Sequence, residues 1–396
     1  MDIEELLRTT VESKASDLHL TVGAPPTIRL HGEMQPLPYP LLTRDGLKTM
    51  LLSTLTGEQQ NRFEEARDLD FSIEIPDLAR FRCNFFMGRR GEGAVFRVIP
   101  TEIKSFQELG LPPVLAELAR EERGLVLVTG PTGSGKSTTL AAMVDLINCE
   151  RHAHILTVED PIEFVHPHKK CLVNQREVKV HTESFSSALR AALREDPDVI
   201  LVGEMRDLET ISLAVSAAET GHLVFGTLHT SSAAQTVDRI IDVFPPHQQS
   251  QIRTQLSESL QGVIAQTLVP KIGGGRVAAL EIMTTTAAVK NLIREGKTFQ
   301  LPSIIETGSM VGMQTLGQAL QELVIQGTIT PESAVAKGLD PAVLSSLRLA
   351  TPTRMNAETP PPLPAGPSFT SAPASSSGED ELGDLKPLST PFSFRR

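Results

Sequence analysis

The chain has 396 residues, a length that accommodates about two to four domains and a large core. Its 37 basic and 48 acidic residues leave a net charge of -11, which argues against general-surface binding of nucleic acid, because phosphate contacts need clustered Lys and Arg. Apolar residues at 40% and charged residues at 21% exclude wholesale disorder and fibrous structure, and 4% aromatics with no Trp weaken any scheme of base stacking.

The chain opens on MDIEELLRTTVESKASDLHL, acidic and without an apolar h-region, and no run of 18 apolar residues occurs, so a soluble, non-exported protein is expected. Ile3, Leu6, Leu7 and Val11 have helical spacing, whereas residues 27–30 and 94–98 alternate as strands do. Residues 1–100 therefore read as an α+β domain. Pro100 and Leu111-Pro112-Pro113 bracket an expected linker at 101–113, since X-Pro pairs favour extended chain.

Beyond the linker, the apolar runs 125–128, 155–158, 199–202 and 223–225 have the composition of strands covered on both faces of a parallel sheet. Phe185, Ala188, Leu189, Ala192 and Leu193 predict a helix ending before Pro197. A second helix is expected from an Asp207 N-cap to a Gly221 C-cap. Alternating strands and helices predict a three-layer α/β core, with residues 243–350 reading as mostly helical. From Thr351 on, nine prolines in 46 residues and a Ser375-Ser376-Ser377 run predict a disordered tail, 351–396.

Gly130-Pro131-Thr132-Gly133-Ser134-Gly135-Lys136-Ser137 matches GxxxxGK[ST] between a predicted strand and a predicted helix. In that context glycines let the backbone wrap phosphate oxygens, Lys136 reaches the β/γ-phosphates of ATP and Ser137 ligates Mg²⁺. Strand 199–202 runs into Glu204, and strand 155–158 into Glu159, Asp160 and Glu163, so carboxylates are delivered to the edge where a parallel sheet binds ligands. Glu204 is placed to hold the water shell of Mg²⁺ or to orient attacking water, and for Glu159 and Asp160 a solvated loop acid is an equal reading.

His222 and His229 flank strand 223–228 and are candidates to report the γ-phosphate, with structural histidines an equally good reading. The spacing of His152, His154, His166, His168 and Cys171 matches no zinc pattern and reads as scattered surface histidines. Cys83, Cys149 and Cys171 include no CxxC pair, which indicates no disulfide framework and a reducing cytosol. Arg80, Arg82 and Arg97 lie on predicted strands of the first domain, either on a solvated face or as guanidinium donors to the γ-phosphate.

In order, GPTGSGKST (130–138), ILTVEDPIEF (155–164), LREDPDVILVGEMRD (193–207) and TGHLVFGTLHTSSAAQTVDRIIDVFP (220–245) resemble the Walker A, Asp box, Walker B and His box of secretion-superfamily ATPases. Within these the chain most resembles the PilT family of type IV pilus retraction ATPases, from ASDLHL (15–20) through ARFRCN (79–84) and KKCLVNQREV (169–178) to MQTLGQAL (313–320). Ala288-Val289-Lys290-Asn291-Leu292-Ile293-Arg294-Glu295 resembles that family's AIRNLIRE retraction motif, departing at Val289 and Lys290. A tetracysteine zinc element, usual in extension and type II secretion ATPases, is absent from the sequence.

The resemblance implies a RecA-like P-loop ATPase domain (114–350) below a smaller PAS-like α+β domain, assembled as a homohexamer that hydrolyses ATP with Mg²⁺. It implies Lys136, Ser137 and the rest of Gly130 to Thr138 as nucleotide ligands and Ser137 and Glu204 at the metal. Glu163 is the implied catalytic base, Glu204 the Walker B acid, His222 and His229 the His-box residues, and Arg82 and Arg97 the charge-stabilisers. The implied work is pilus retraction at the cytoplasmic face of the inner membrane, on a platform protein and beside any paralogous retraction ATPase. Alternatives are an accessory retraction, extension or type II secretion ATPase, a non-hydrolysing regulatory nucleotide-binding protein, or a nucleic-acid translocase, the last opposed by charge.

Overall fold

We describe a computed structural model that covers residues 2–30, 32–76, 78–99 and 102–343. The expected tail, 351–396, and the last residues of the expected ATPase domain lie outside the described residues.

The N-terminal part is built from α1 (Ile3–Glu12), β1 (Asp17–Thr21), β2 (Thr27–Leu30), β3 (Glu33–Pro36), α2 (Arg44–Leu52), α3 (Gly57–Ala66), β4 (Asp68–Ile75), β5 (Ala79–Gly88) and β6 (Gly91–Ile99). Its strands form one antiparallel sheet in the order β3-β2-β1-β6-β5-β4. Alternation along β5 buries Phe81, Cys83 and Phe85 and leaves Arg80, Arg82 and Asn84 on the opposite face. The buried face packs with Leu6 and Leu7 of α1 and with Phe63 of α3, and Phe85 makes edge-to-face contacts with Phe63, Phe71 and Phe96.

The segment expected as a linker contains a single-turn helix, α4 (Phe106–Leu109), closed by a Ser105/Glu108 capping box and by Gly110 at positive φ. Next come α5 (Pro113–Arg120), β7 (Gly124–Thr129), α6 (Lys136–Glu150), β8 (His154–Glu159), β9 (Leu172–Glu177), α7 (Phe185–Ala192), β10 (Val199–Val202), α8 (Leu208–Glu219) and β11 (Leu223–Leu228). They are followed by α9 (Ala233–Asp242), α10 (Gln249–Ser259), β12 (Leu260–Pro270), β13 (Arg276–Thr284), α11 (Ala287–Arg294), α12 (Leu301–Thr307), α13 (Leu316–Ile325) and α14 (Pro331–Val335). Asp207 caps α8 through the Thr210 N–H, as expected, while the C-cap is Thr220, with Gly221 just beyond it at φ +121°.

Seven strands form the second sheet in the order β13-β12-β7-β11-β10-β8-β9, parallel except for the β12–β13 pair. Side chains of one strand divide between its two faces. Leu125 and Leu127 join α8 to α12 on one side, and Val126 and Val128 join α5 and α6 on the other. The expectation of a mostly helical stretch after residue 243 is corrected here, because β12 and β13 extend the sheet by a long hairpin. Its turn uses Gly273, Gly274 and Gly275, all at positive φ, a conformation that favours glycine.

Candidate active site

Because β7, β11, β10 and β8 are parallel and in register, their C-terminal ends fall on one edge of the sheet. That edge receives the loop after Thr129, the Glu159 to Glu163 turn, Gly203-Glu204 and His229. Together they line a cavity of about 200 Å³ with Lys136, Ser137, Phe164, His166 and Phe185. The strand-end logic of parallel sheets thus assembles residues that are up to a hundred positions apart.

The loop 130–135 fits only because of its glycines. Gly130 has φ +138° and a Cβ there would lie 2.2 Å from the Gln266 carbonyl oxygen, while Gly135 has φ +88° and leads directly into α6. Lys136 Nζ donates to the Gly130 carbonyl at 2.8 Å and to the Pro131 carbonyl at 3.2 Å. Burial lowers the Lys136 pKa from its ordinary value, opposed by the Glu204 charge. Beyond the first turn of α6 a larger open cavity, about 690 Å³, is lined by Gly135, Thr138, Gln107, Leu111, Leu268 and Arg276.

Three of the four carboxylates that line the first cavity have different surroundings. Glu159 is 8% exposed and accepts from Thr157 Oγ1 (2.7 Å), Gln175 Nε2 (3.3 Å) and the Glu163 N–H (3.2 Å). Burial nevertheless raises its pKa. Glu204 is held by Arg206, with Nη2 at 2.7 Å from Oε2 and Nε also bonded to Oε1, and by His229 Nε2 at 2.9 Å from Oε1. Burial pushes the Glu204 carboxyl up, but the charges and hydrogen bonds of Arg206 and His229 outweigh it and set it below the usual carboxylate range. Glu163 is exposed on the cavity wall.

Not every candidate reaches this place. His222 sits at the opposite end of β11 from His229, roughly 20 Å away at strand rise, where its Nδ1 lies 2.9 Å from the Ala217 carbonyl. Arg97 is paired with Asp17 through Nε at 2.8 Å on the neighbouring strand. Arg82 lines a separate cavity of about 220 Å³ that shares Asp160 and Pro161 with the first. Residues 288–295 form α11 and its C-cap away from the cavity, with Val289 and Ile293 fully buried and Lys290 and Arg294 both reaching Glu258 of α10.

Two contributors escaped the sequence reading. Gln266, inside β12, is buried beneath the loop, donating to the Ser134 carbonyl at 2.7 Å and accepting from Thr139 Oγ1 at 2.8 Å. His166, expected as a surface histidine, is instead 7% exposed on the cavity wall, and burial pushes its pKa down to about 4. The Gly-flanked loop motif carries no mark of its brace on a distant strand, and alternation in the 160–171 loop is too irregular to reveal a buried side chain.

The profile of the Type II/IV secretion system protein family matches residues 1–274. Over 341 residues, 86% of this chain and 99% of the relative, the sequence is 57% identical to the type IV pilus retraction ATPase PilT of Pseudomonas aeruginosa. It is 54% identical over 333 residues to a twitching motility protein of Neisseria gonorrhoeae, covering 84% of this chain and 89% of that one. A crystal structure of the pilus retraction motor PilT with bound ADP superposes with a TM-score of 0.82 at 50% identity, covering 87% of this chain and 99% of that one.

Proposed function

The chain belongs to the Type II/IV secretion system protein family, and we propose that it is an ATP-hydrolysing motor that powers type IV pilus retraction. The observation that carries this reading is the convergence of four parallel strand ends on one cavity, which brings Lys136, Ser137, Glu163, Glu204 and His229 together beside the glycine loop. Likeness to a retraction ATPase and to a twitching motility protein over most of the chain supports the pilus as the object of the work.

The phosphates of ATP would lie in the loop 130–138, where backbone N–H groups and the N-terminus of α6 favour negative charge. Lys136 would exchange its two carbonyl acceptors for phosphate oxygens. The open cavity past Gly135 and Thr138, with Leu111 and Leu268 on its walls, has the apolar surfaces to take the adenine. Mg²⁺ fits the donors present, because Ser137 and Glu204 offer oxygens without a thiol at the cavity, as a hard cation requires. Held there with ATP, it would supply positive charge to offset that developing on the phosphoryl oxygens.

Glu163 is free on the wall to accept a proton from attacking water, while Glu159 is committed to fixing the Glu163 backbone. His229 reads the state of Glu204 through their contact and sits where loss of the γ-phosphate would be felt. Arg82, which lines the neighbouring cavity, would approach on domain closure, and Arg97 and His222 would act only after a rearrangement or from a neighbouring subunit. Repeated firing around a homohexamer would turn closure into displacement of an inner-membrane platform protein at the cytoplasmic face. Among the described residues no helix is long and apolar enough to cross a membrane.

Phosphate release by the purified chain tests the chemistry. Hydrolysis well above that of Lys136→Ala is expected, and equal rates for the two would refute it.

A further inference from the structure

Glu177 is the last residue of β9 and pairs in parallel register with Glu159 at the end of β8. Its side chain is 3% exposed, yet it carries a carboxylate held by donors from the N-terminal sheet and from the loop after β8. From the N-terminal sheet, Ser72 Oγ donates to Oε1 at 2.9 Å and Arg80 Nη2 to Oε2 at 2.6 Å. From the loop after β8, the Ile162 N–H donates to the same Oε2 at 3.3 Å. Arg80 Nη2 also reaches Ser72 Oγ at 2.8 Å, so the three side chains form one partly buried network around Glu177.

The next N–H of that loop, of Glu163, is held by Glu159. Two consecutive amides are therefore fixed by two adjacent acids, only one of which depends on the N-terminal sheet for its charge balance. A buried carboxylate stripped of its partner is costly, so Glu177 stays where it is only while Arg80 faces it. The loop that presents Glu163 to the cavity thereby depends on the docking of the N-terminal sheet.

We propose that Glu177 is a positioning residue for hydrolysis, latching Arg80 and Ser72 of the N-terminal sheet to the loop that carries Glu163. The proposal rests on the ATPase reading above. It gives Arg80 a task at the joint between the sheets, and it predicts that turnover, more than nucleotide binding, reports whether that joint is closed.

The test measures steady-state phosphate release by the full chain, affinity for a fluorescent ATP analogue, and the thermal midpoint, for Glu177→Gln, Arg80→Gln, Arg80→Lys and Ser72→Ala. A small displacement of a catalytic group lowers rate steeply, so Glu177→Gln and Arg80→Gln are expected to lose about 10- to 100-fold in kcat with nucleotide affinity within about 2-fold of the parent. Arg80→Lys, which keeps a cation, is expected to recover most of the rate. Ser72→Ala leaves the ion pair intact and is expected to fold normally and lose about 3-fold. A folded Arg80→Gln or Ser72→Ala protein with the parent kcat would overturn the latch, as would equal losses in kcat and affinity. A parent rate no higher than that of Lys136→Ala would instead remove the ATPase reading, and the latch with it.

Discussion

His229 Nε2 lies 2.9 Å from Glu204 Oε1, joining the end of β11 to the residue just past β10 at the mouth of the cavity. Arg206 holds the same carboxylate through both of its oxygens. Glu204 is thus shared between Arg206 and His229, and its removal is felt by both partners at once. Glu204→Gln is expected to lower kcat by on the order of 100-fold while binding of a fluorescent ATP analogue persists. A variant hydrolysing at the parent rate would exclude Glu204 from the reaction.

Gln266 braces the glycine loop from beneath through the Ser134 carbonyl and the Thr139 hydroxyl. In Gln266→Leu the Thr139 hydroxyl and the Ser134 carbonyl lose their partners inside the protein, at a cost of roughly 2 to 4 kcal/mol. Urea denaturation should show that loss together with weaker nucleotide binding. Full stability with weakened binding, or the reverse, would separate two effects that the shared hydrogen bonds tie together.

Protonation of His166 supplies a pH dependence of known sign. Its folded pKa, about 4, is below the ordinary value near 6.5, so the unfolded chain takes up the proton first. The stability due to the neutral, buried ring is therefore complete above about pH 6.5 and is lost as pH falls toward 4, by about 3 kcal/mol at most. Unfolding curves between pH 7 and pH 4 should be flatter for His166→Asn than for the parent. Parallel curves would show that the ring is protonated or solvated in the folded protein.

The loop, its flanking strand and helix, and the acids at the strand ends were legible in the sequence, because a parallel sheet places the residue after each apolar run on one edge. Much of the remainder was not. β12 and β13 mix apolar and polar residues around Gly262 and Gln266 in a pattern that resembles neither two-residue alternation nor a helical stripe. His222 and His229 look equivalent as flanks of an apolar run, and only the direction of β11 separates them. Arg80, Arg82 and Arg97 occupy one face by alternation, but which acid each one meets depends on β1 for Arg97 and on β9 of the other sheet for Arg80.

The segment 288–295 divides into an inner face, Val289 and Ile293, and an outer face that includes Ala288, Asn291 and Glu295. If the outer face transmits force to a partner, Ala288→Arg should keep stability within about 0.5 kcal/mol and keep the ATPase rate, while abolishing twitching. Motility at the parent level would place force transmission elsewhere.

Retraction itself is tested most directly by imaging pili and scoring twitching in a strain that lacks this gene, complemented with the parent chain or with Glu204→Ala. Long or abundant pili without motility are expected in the deletion, with motility restored by the parent chain and not by Glu204→Ala. Absence of pili in the deletion strain would contradict it.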